Sequence, residues 1–146
     1  MKTLIFYPVF IILCAITVNA QEFDLEKTFN PTLSEDNRKE IKENIFNYSQ
    51  MIKANPDDAI AFLNRGVAYA NLGLYPDAIT DYNKSIMIDS TIPQAYYNRG
   101  IAKSRFRYTK PACLDVKHAA ELGLDIAKKS YNANCGLFMS ELGELE

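Results

Sequence analysis

The chain has 146 residues, of which 48% are hydrophobic, and its 16 basic and 18 acidic residues give a net charge of −2. This length suits a single domain with a modest core. A mildly acidic chain lacks the basic field that attracts nucleic acid or anionic lipid, so we expect neither as a partner.

Residues 1–20 have the pattern of a secretory signal peptide. A basic residue near the start is followed by an apolar stretch from Leu4 to Val18, and the small Ala20 marks the expected cleavage site. The stretch is shorter than the about 20 apolar residues of a membrane-spanning helix, so we expect no span to remain after cleavage. The sequence therefore predicts a periplasmic or secreted protein with a mature net charge of 15 − 18 = −3. The large Leu13 before Cys14 argues against a lipid anchor at that cysteine.

A helix is predicted over residues 35–55, after an extended lead-in at 21–34 that contains Pro31. Ser34 caps the helix, and acidic residues follow in its first turn. Pro56 ends it, because proline disfavours the α conformation in the residue before it. Apolar residues recur along it with helical spacing, namely Ile41, Ile45, Tyr48 and Ile52. We interpret this helix as an N-terminal cap, the second half of an incomplete repeat.

Two complete repeats are predicted at residues 59–92 and 93–122. The triplet Asn64-Arg65-Gly66 recurs as Asn98-Arg99-Gly100, an offset of 98 − 64 = 34 residues. A period of about 34 residues is typical of helix–turn–helix solenoids, whose units must stack because a single unit cannot bury its own apolar face. Each repeat is therefore expected to contribute two helices.

A further helix is predicted at residues 125–135, where it caps the C-terminal end after a turn at Gly123. The tail at 136–146 has apolar residues at rough helical spacing, which indicates a frayed last turn or a short packing helix. The whole sequence predicts an all-α protein, a short right-handed α-solenoid of antiparallel helix pairs with a capping helix at each end.

The repeats resemble the tetratricopeptide-repeat family. The first repeat has the family's bulky, small and aromatic residues at Phe62, Gly66, Tyr69, Ala78, Tyr82 and Ser85. The second matches at Tyr96, Gly100, Ala112 and Ala119, and departs from the pattern at Lys103 and Val116, where aromatic residues are usual. The stretch 112–123, with Cys135 after it, is similar to the closing repeat of small exported members from Bacteroidetes-type bacteria. The resemblance implies a scaffold that binds proteins, and not an enzyme.

The resemblance also implies a peptide-binding groove on the concave side of the first helices. Asn64 and Asn98 stand where family members often use an asparagine to hold the backbone of an extended peptide, because an amide both donates and accepts hydrogen bonds. The expected groove residues are Ile60, Leu63, Asn64, Val67, Gln94, Tyr97, Asn98, Ile101 and Arg105. Chaperone-binding members have the basic residues of a carboxylate clamp at the positions of Leu63, Val67, Tyr97 and Ile101, so we expect no clamp here. An equally good alternative is that these residues pack against the N-terminal cap or the tail.

Two arginine–aspartate pairs occupy the same places in both repeats, Arg65 with Asp81 and Arg99 with Asp115. These positions lie at similar heights on opposing helices, so we expect structural ion pairs. The alternative is that the arginines receive an acidic ligand.

Cys113 and Cys135 remain once the signal peptide is removed, and an even pair in an exported protein suggests a disulfide. They lie 123 − 113 = 10 residues before and 135 − 123 = 12 residues after the turn at Gly123, which places both sulfurs at one end of a helical hairpin. The alternative is two buried free thiols.

Catalysis finds no candidate residues. His118 is the single histidine and has no partner at the spacing of a metal site or a triad, and no glycine-rich phosphate loop is present. We therefore expect no cofactor and no metal. The basic and aromatic segment at 103–110 is interpreted as a solvated loop and not an RNA site, since the chain is acidic and exported. The predicted function is a scaffold that takes a peptide or helix of a partner protein in the groove, with a homodimer that buries the groove as the alternative.

Overall fold

A computed structural model describes residues 33–105, 109–136 and 139–140 of the chain, and these ranges contain six α-helices and no strand. The helices are α1 (Glu35–Ala54), α2 (Ala59–Leu72), α3 (Tyr75–Ile88), α4 (Pro93–Ser104), α5 (Lys110–Glu121) and α6 (Asp125–Asn134). The predicted all-α solenoid of helix pairs is confirmed. The predicted signal peptide at 1–20, nearly all of the lead-in and most of the tail lie outside the described residues. Within the described ranges, no helix has the length and apolarity that crossing a bilayer requires.

Local signals in the sequence set the helix ends. The side chains of Ser34, Asp58 and Thr109 each accept a hydrogen bond from a backbone N–H in the first turn of the helix that follows, at 3.2, 2.8 and 3.3 Å. Such side chains satisfy amides that have no partner within the helix. Gly73 ends α2 in the left-handed conformation with φ of 84°, which costs a glycine little because it has no Cβ.

Consecutive helices pack against each other from α1 to α6, as expected for a solenoid. The helix pairs α2–α3 and α4–α5 are the two complete repeats, and α1 and α6 are single helices at the two ends. One core cluster lies among α2, α3 and α4, and its buried residues are Leu63, Ala78, Tyr82, Ala95 and Ala102. A second cluster joins α5 to α6 through Val116, Ala119 and Ala127. Burial raises the pKa of the Tyr82 phenol, and the nearby Asp81 carboxylate raises it further.

Each predicted arginine–aspartate pair is present and ties three helices together. Arg65 donates to both carboxylate oxygens of Asp81 at 2.7 and 2.8 Å and, through Nη1, to the Ser49 hydroxyl on α1 at 3.1 Å. Arg99 repeats this arrangement with Asp115 at 2.9 and 2.6 Å and with the Asn83 side chain on α3 at 2.7 Å. The hydrogen bonds to Asp81 raise the pKa of the Arg65 guanidinium above its ordinary value. The two arginines therefore connect each repeat to the helix that precedes it.

Replacing Arg65 with methionine is expected to destabilise the fold more than replacing Arg99 with methionine. Asp115 also accepts a hydrogen bond from Lys103 Nζ at 2.8 Å, so it keeps a cation when Arg99 is lost. Asp81 forms no second ion pair with a described residue, and its side chain is only 5% exposed. An uncompensated buried carboxylate is costly, so we expect a loss of about 3 kcal/mol for Arg65→Met and roughly 1–2 kcal/mol for Arg99→Met.

Urea unfolding of both variants, followed by circular dichroism, measures this difference. The double variant Arg99→Met/Lys103→Met provides the control, because it removes both cations from Asp115 and should approach the loss of Arg65→Met. Equal stability losses for the two single arginine variants would contradict the assigned role of Lys103.

A disulfide bond joins Cys113 to Cys135, with the Cα atoms 5.5 Å apart. Both residues are at most 1% exposed. The bond links the first turn of α5 to the residue that follows α6, and it therefore holds the last helix of the solenoid against the repeat before it. In the tail, the backbone N–H of Met139 donates to the Cys135 carbonyl at 2.8 Å, which adds one helical turn after α6.

Candidate functional site

Three adjoining clefts run along α2 and α4, and we call them together the asparagine groove. The first lies between α2 and α4, has a volume of 190 Å³ and is bordered by Val67, Asn71, Tyr75, Asn98, Ile101 and Arg105. The second lies between α1 and α2 and is bordered by Ile41, Asn44, Tyr48, Asn64, Val67 and Asn71. The third is bordered by Asn37, Glu40, Ile41, Asn44, Asn71, Tyr75 and Arg105. Because neighbouring clefts share residues, they form one continuous surface.

Five of the nine predicted groove residues line this surface, and four do not. Those that line it are Asn64, Val67, Asn98, Ile101 and Arg105. Leu63 is buried in the first core cluster, because its side chain turns toward α3 and α4. Tyr97 is half-buried against the second core cluster, where α6 covers it. Ile60 and Gln94 lie in the first turns of α2 and α4, are exposed, and are not among the residues that line the three clefts.

The amides of the groove have unused hydrogen-bonding capacity. The side chains of Asn44, Asn64 and Asn98 make no hydrogen bond with another residue that the structure describes, although Asn64 and Asn98 are half-buried. Each amide offers two donors and an acceptor. The apolar side chains of Val67 and Ile101 lie beside them in the same clefts. Such a surface can pair with the N–H and C=O groups of an extended peptide while covering its apolar side chains.

The groove carries little charge. Glu40 and Arg105 are the charged residues among those that line the three clefts. The guanidinium carbon of Arg105 lies 5.8 Å from the centre of the Tyr75 ring, which is the distance of a cation–π contact. Since Leu63, Val67, Tyr97 and Ile101 carry no charge, the groove has no basic residues at the positions of a carboxylate clamp.

Sequence reasoning missed the contribution of α1 and of the turn between α2 and α3. Ile41, Asn44 and Tyr48 line the groove because no first helix of an incomplete repeat covers that face of α1 within the described residues. Asn71 and Tyr75 come from the end of α2 and the start of α3. One signal was available: adding 34 to Ile41 gives 75, so Ile41 and Tyr75 occupy equivalent positions in successive repeats.

His118 lies outside the groove, on the exposed side of α5. Its Nδ1 is 3.6 Å from a Glu121 carboxylate oxygen, and its ring meets the edge of the Tyr96 ring with centroids 4.4 Å apart. The described part of the chain holds no group of three His, Cys, Asp or Glu side chains arranged for a metal ion. These contacts indicate a surface histidine that packs against an aromatic ring.

Two curated plant proteins are similar to part of the chain. The Hsp70-Hsp90 organizing protein 3 of Arabidopsis thaliana is 34% identical over 89 residues, which cover 55% of this chain and 16% of that protein. The protein SGT1 homolog of Oryza sativa subsp. japonica is 36% identical over 80 residues, which cover 55% of this chain and 21% of that protein. The chain thus spans only a small part of the length of either relative.

Two solved structures have a similar fold. The first TPR of Spaghetti (RPAP3), bound to the HSP90 peptide SRMEEVD, has a TM-score of 0.62 and 22% identity, covering 75% of this chain and 86% of that one. The TPR2AB domain of yeast Sti1, in complex with an HSP90 peptide, has a TM-score of 0.53 and 23% identity, covering 79% of this chain and 50% of that one. The model of the tetratricopeptide repeat family matches residues 59–91. Residues 59–91 are therefore a tetratricopeptide repeat, and the described part of the chain has the fold of tetratricopeptide-repeat domains.

Proposed function

We propose that this chain is a non-enzymatic interaction module that binds an extended peptide of a partner protein in the asparagine groove. The observation that carries the proposal is the pair of half-buried amides, Asn64 and Asn98, which lie one repeat apart beside Val67 and Ile101 and have no partner among the described residues. The two structural neighbours, which share this fold, bind HSP90 peptides. Their use of a peptide ligand supports the same type of ligand here.

The partner peptide differs from the acidic peptide SRMEEVD in its charge requirement. With no basic residue at Leu63, Val67, Tyr97 or Ile101, the groove cannot neutralise several carboxylates at once. Burying unpaired carboxylates is costly. We therefore infer a ligand that is largely uncharged, whose main-chain groups pair with the amides and whose apolar side chains contact Val67 and Ile101.

Selection of peptides from a displayed random library, followed by calorimetry on the best binder, tests the proposal. The double variant Asn64→Ala/Asn98→Ala is expected to bind that peptide about tenfold more weakly, since each lost hydrogen bond contributes roughly 1 kcal/mol. Asn47→Ala serves as the control, because Asn47 is an exposed asparagine on α1 that lines none of the three clefts. Its affinity should match that of the wild type.

Unchanged affinity in the double variant would contradict the assignment of the amides. Light scattering on the same samples addresses the homodimer. A stable dimer that binds no selected peptide, and whose monomeric variants do bind, would show that the groove is buried by self-association.

We further propose that the chain is exported, like the small Bacteroidetes-type proteins that its last repeat resembles. Two observations support this: the signal-peptide pattern of residues 1–20, and the disulfide between Cys113 and Cys135. Disulfides persist in oxidising compartments and are rare in the reducing cytosol. The mass of the exported protein tests the proposal, because cleavage leaves Gln21 as its first residue, and a chain retained in the cytosol with its first twenty residues would contradict it.

A further inference from the structure

Arg105 differs from the other arginines whose contacts the structure gives. Arg65 and Arg99 each bind both oxygens of an aspartate, and Lys103 shares one of those aspartates. Arg105, in contrast, forms no ion pair or hydrogen bond through its side chain with any described residue, and its one recorded contact is with the Tyr75 ring. The groove therefore contains a guanidinium that no carboxylate of the described residues neutralises.

The position of Arg105 suits the binding of a ligand. It directly follows α4, is exposed, and borders two of the three clefts, so it stands where the peptide would enter or leave the groove. Contact with an aromatic ring restrains the guanidinium. The N–H groups along its edge stay available, and they match the two oxygens of a carboxylate.

We propose that Arg105 binds a carboxylate of the partner peptide and so fixes the position of that peptide along the groove. This inference rests on the proposed function and adds the chemical class of one ligand group: a single acidic group, within a largely uncharged peptide, that lies at the Tyr75 end. Glu40 borders the same cleft as Arg105. Because this negative charge repels a dianion more than a monoanion, the site favours a carboxylate over a phosphate.

Calorimetry with the peptide selected on the wild-type protein tests the inference through three variants. Arg105→Gln is expected to weaken binding about tenfold, as the loss of one hydrogen-bonded charge pair predicts. Glu40→Gln removes the repulsion and is expected to strengthen binding by about twofold, a typical effect of one solvent-exposed charge. Lys84→Gln is the control, because Lys84 is exposed on α3, away from all three clefts, and its loss should leave the affinity unchanged.

Altered peptides identify the source of the carboxylate. One arm replaces each Asp or Glu of the selected peptide by its amide, and another amidates its C-terminus. Exactly one arm should reproduce the tenfold loss, and the Arg105→Gln variant should not respond to that change. A phosphorylated peptide that binds more tightly than its carboxylate counterpart would overturn the preference for a carboxylate.

The outcomes separate the two proposals. If Asn64→Ala/Asn98→Ala weakens binding while Arg105→Gln and every neutralised peptide bind as before, the role of Arg105 is overturned and the proposed function stands. If Glu40→Gln weakens binding and Arg105→Gln strengthens it, the groove prefers a cation and the inference is wrong. If the wild type selects no peptide, both proposals are overturned.

Discussion

Replacing Gly100 with alanine is expected to lower the free energy of unfolding by about 2 kcal/mol through overpacking, although alanine is the better helix former by roughly 1 kcal/mol. A Cβ at this position would lie 2.9 Å from the Ala112 carbonyl oxygen and 2.9 Å from a Val116 methyl carbon. The carbonyl belongs to the backbone of α5, so relief requires that α5 moves away from α4. Such a shift would loosen the second repeat as a whole.

The equivalent change in the first repeat is expected to act through a side chain. A Cβ at Gly66 would lie 2.7 Å from the Tyr82 ring and 3.2 Å from the Ala78 carbonyl oxygen. Tyr82 is 1% exposed and has little room to turn, so Gly66→Ala should also destabilise the protein.

Gly136→Ala is the matched control for both variants. The nearest atom to a Cβ there, the Tyr131 carbonyl oxygen, is 3.8 Å away, which is an ordinary contact distance. Urea unfolding should show a loss for Gly66→Ala and Gly100→Ala, and none for Gly136→Ala. A Gly100→Ala protein as stable as the wild type would contradict the close approach of α4 and α5.

The sequence predicted the helices well because their ends depend on local chemistry. Ser34 and Asp58 cap the helices they precede, and Gly73 ends α2, whatever the rest of the chain does. The predicted cap at 35–55 and the observed α1 differ by a single residue. The period of 34 residues then fixed the order of the helix pairs, since equivalent residues must meet equivalent neighbours.

The groove was predicted less completely, because a repeat period does not say which neighbour covers a residue. Leu63 and Tyr97 hold equivalent positions in α2 and α4, yet the first is buried in the core and the second packs under α6. Asn44 lines the groove where the equivalent residue of α3, Ala78, is buried. The difference arises because α1 begins the described solenoid, and the sequence pattern gave no sign that its face would remain open.

The same comparison explains why the stack of repeats ends at α6. Adding 34 to Gly66 and Gly100 leads to Asn134, so α6 stands in the place of the first helix of a third repeat. The two glycines allow a second helix to approach within contact of the backbone. Asn134 has a side chain at that position, and a second helix cannot pack equally close. The end of the solenoid therefore lacks the partner that stabilises the other first helices.

The disulfide compensates for this missing partner, and its reduction is expected to lower the free energy of unfolding by about 3 kcal/mol on the chain-entropy estimate for a closed loop of this length. The bond closes the segment between Cys113 and Cys135, a separation of 22 residues that includes all of α6. Reduction of the wild type isolates the cross-link, because both sulfurs stay in their buried places. The double variant Cys113→Ala/Cys135→Ala also loses buried sulfur atoms, so its stability should be equal to or below that of the reduced wild type.

Urea unfolding with and without a reducing agent measures the effect, and the double variant, which has no bond to reduce, should give the same value in both conditions. Hydrogen exchange locates it: the amides of α6 should lose protection on reduction, whereas those of α2 and α3 should keep theirs, since repeat proteins are stabilised mainly by contacts between neighbours. Two free thiols in the purified protein under non-reducing conditions, or a wild type whose stability does not respond to reduction, would contradict this role. A loss of protection confined to α6 would mean that the Cys113–Cys135 bond does for the last helix what a paired second helix does for α2 and α4.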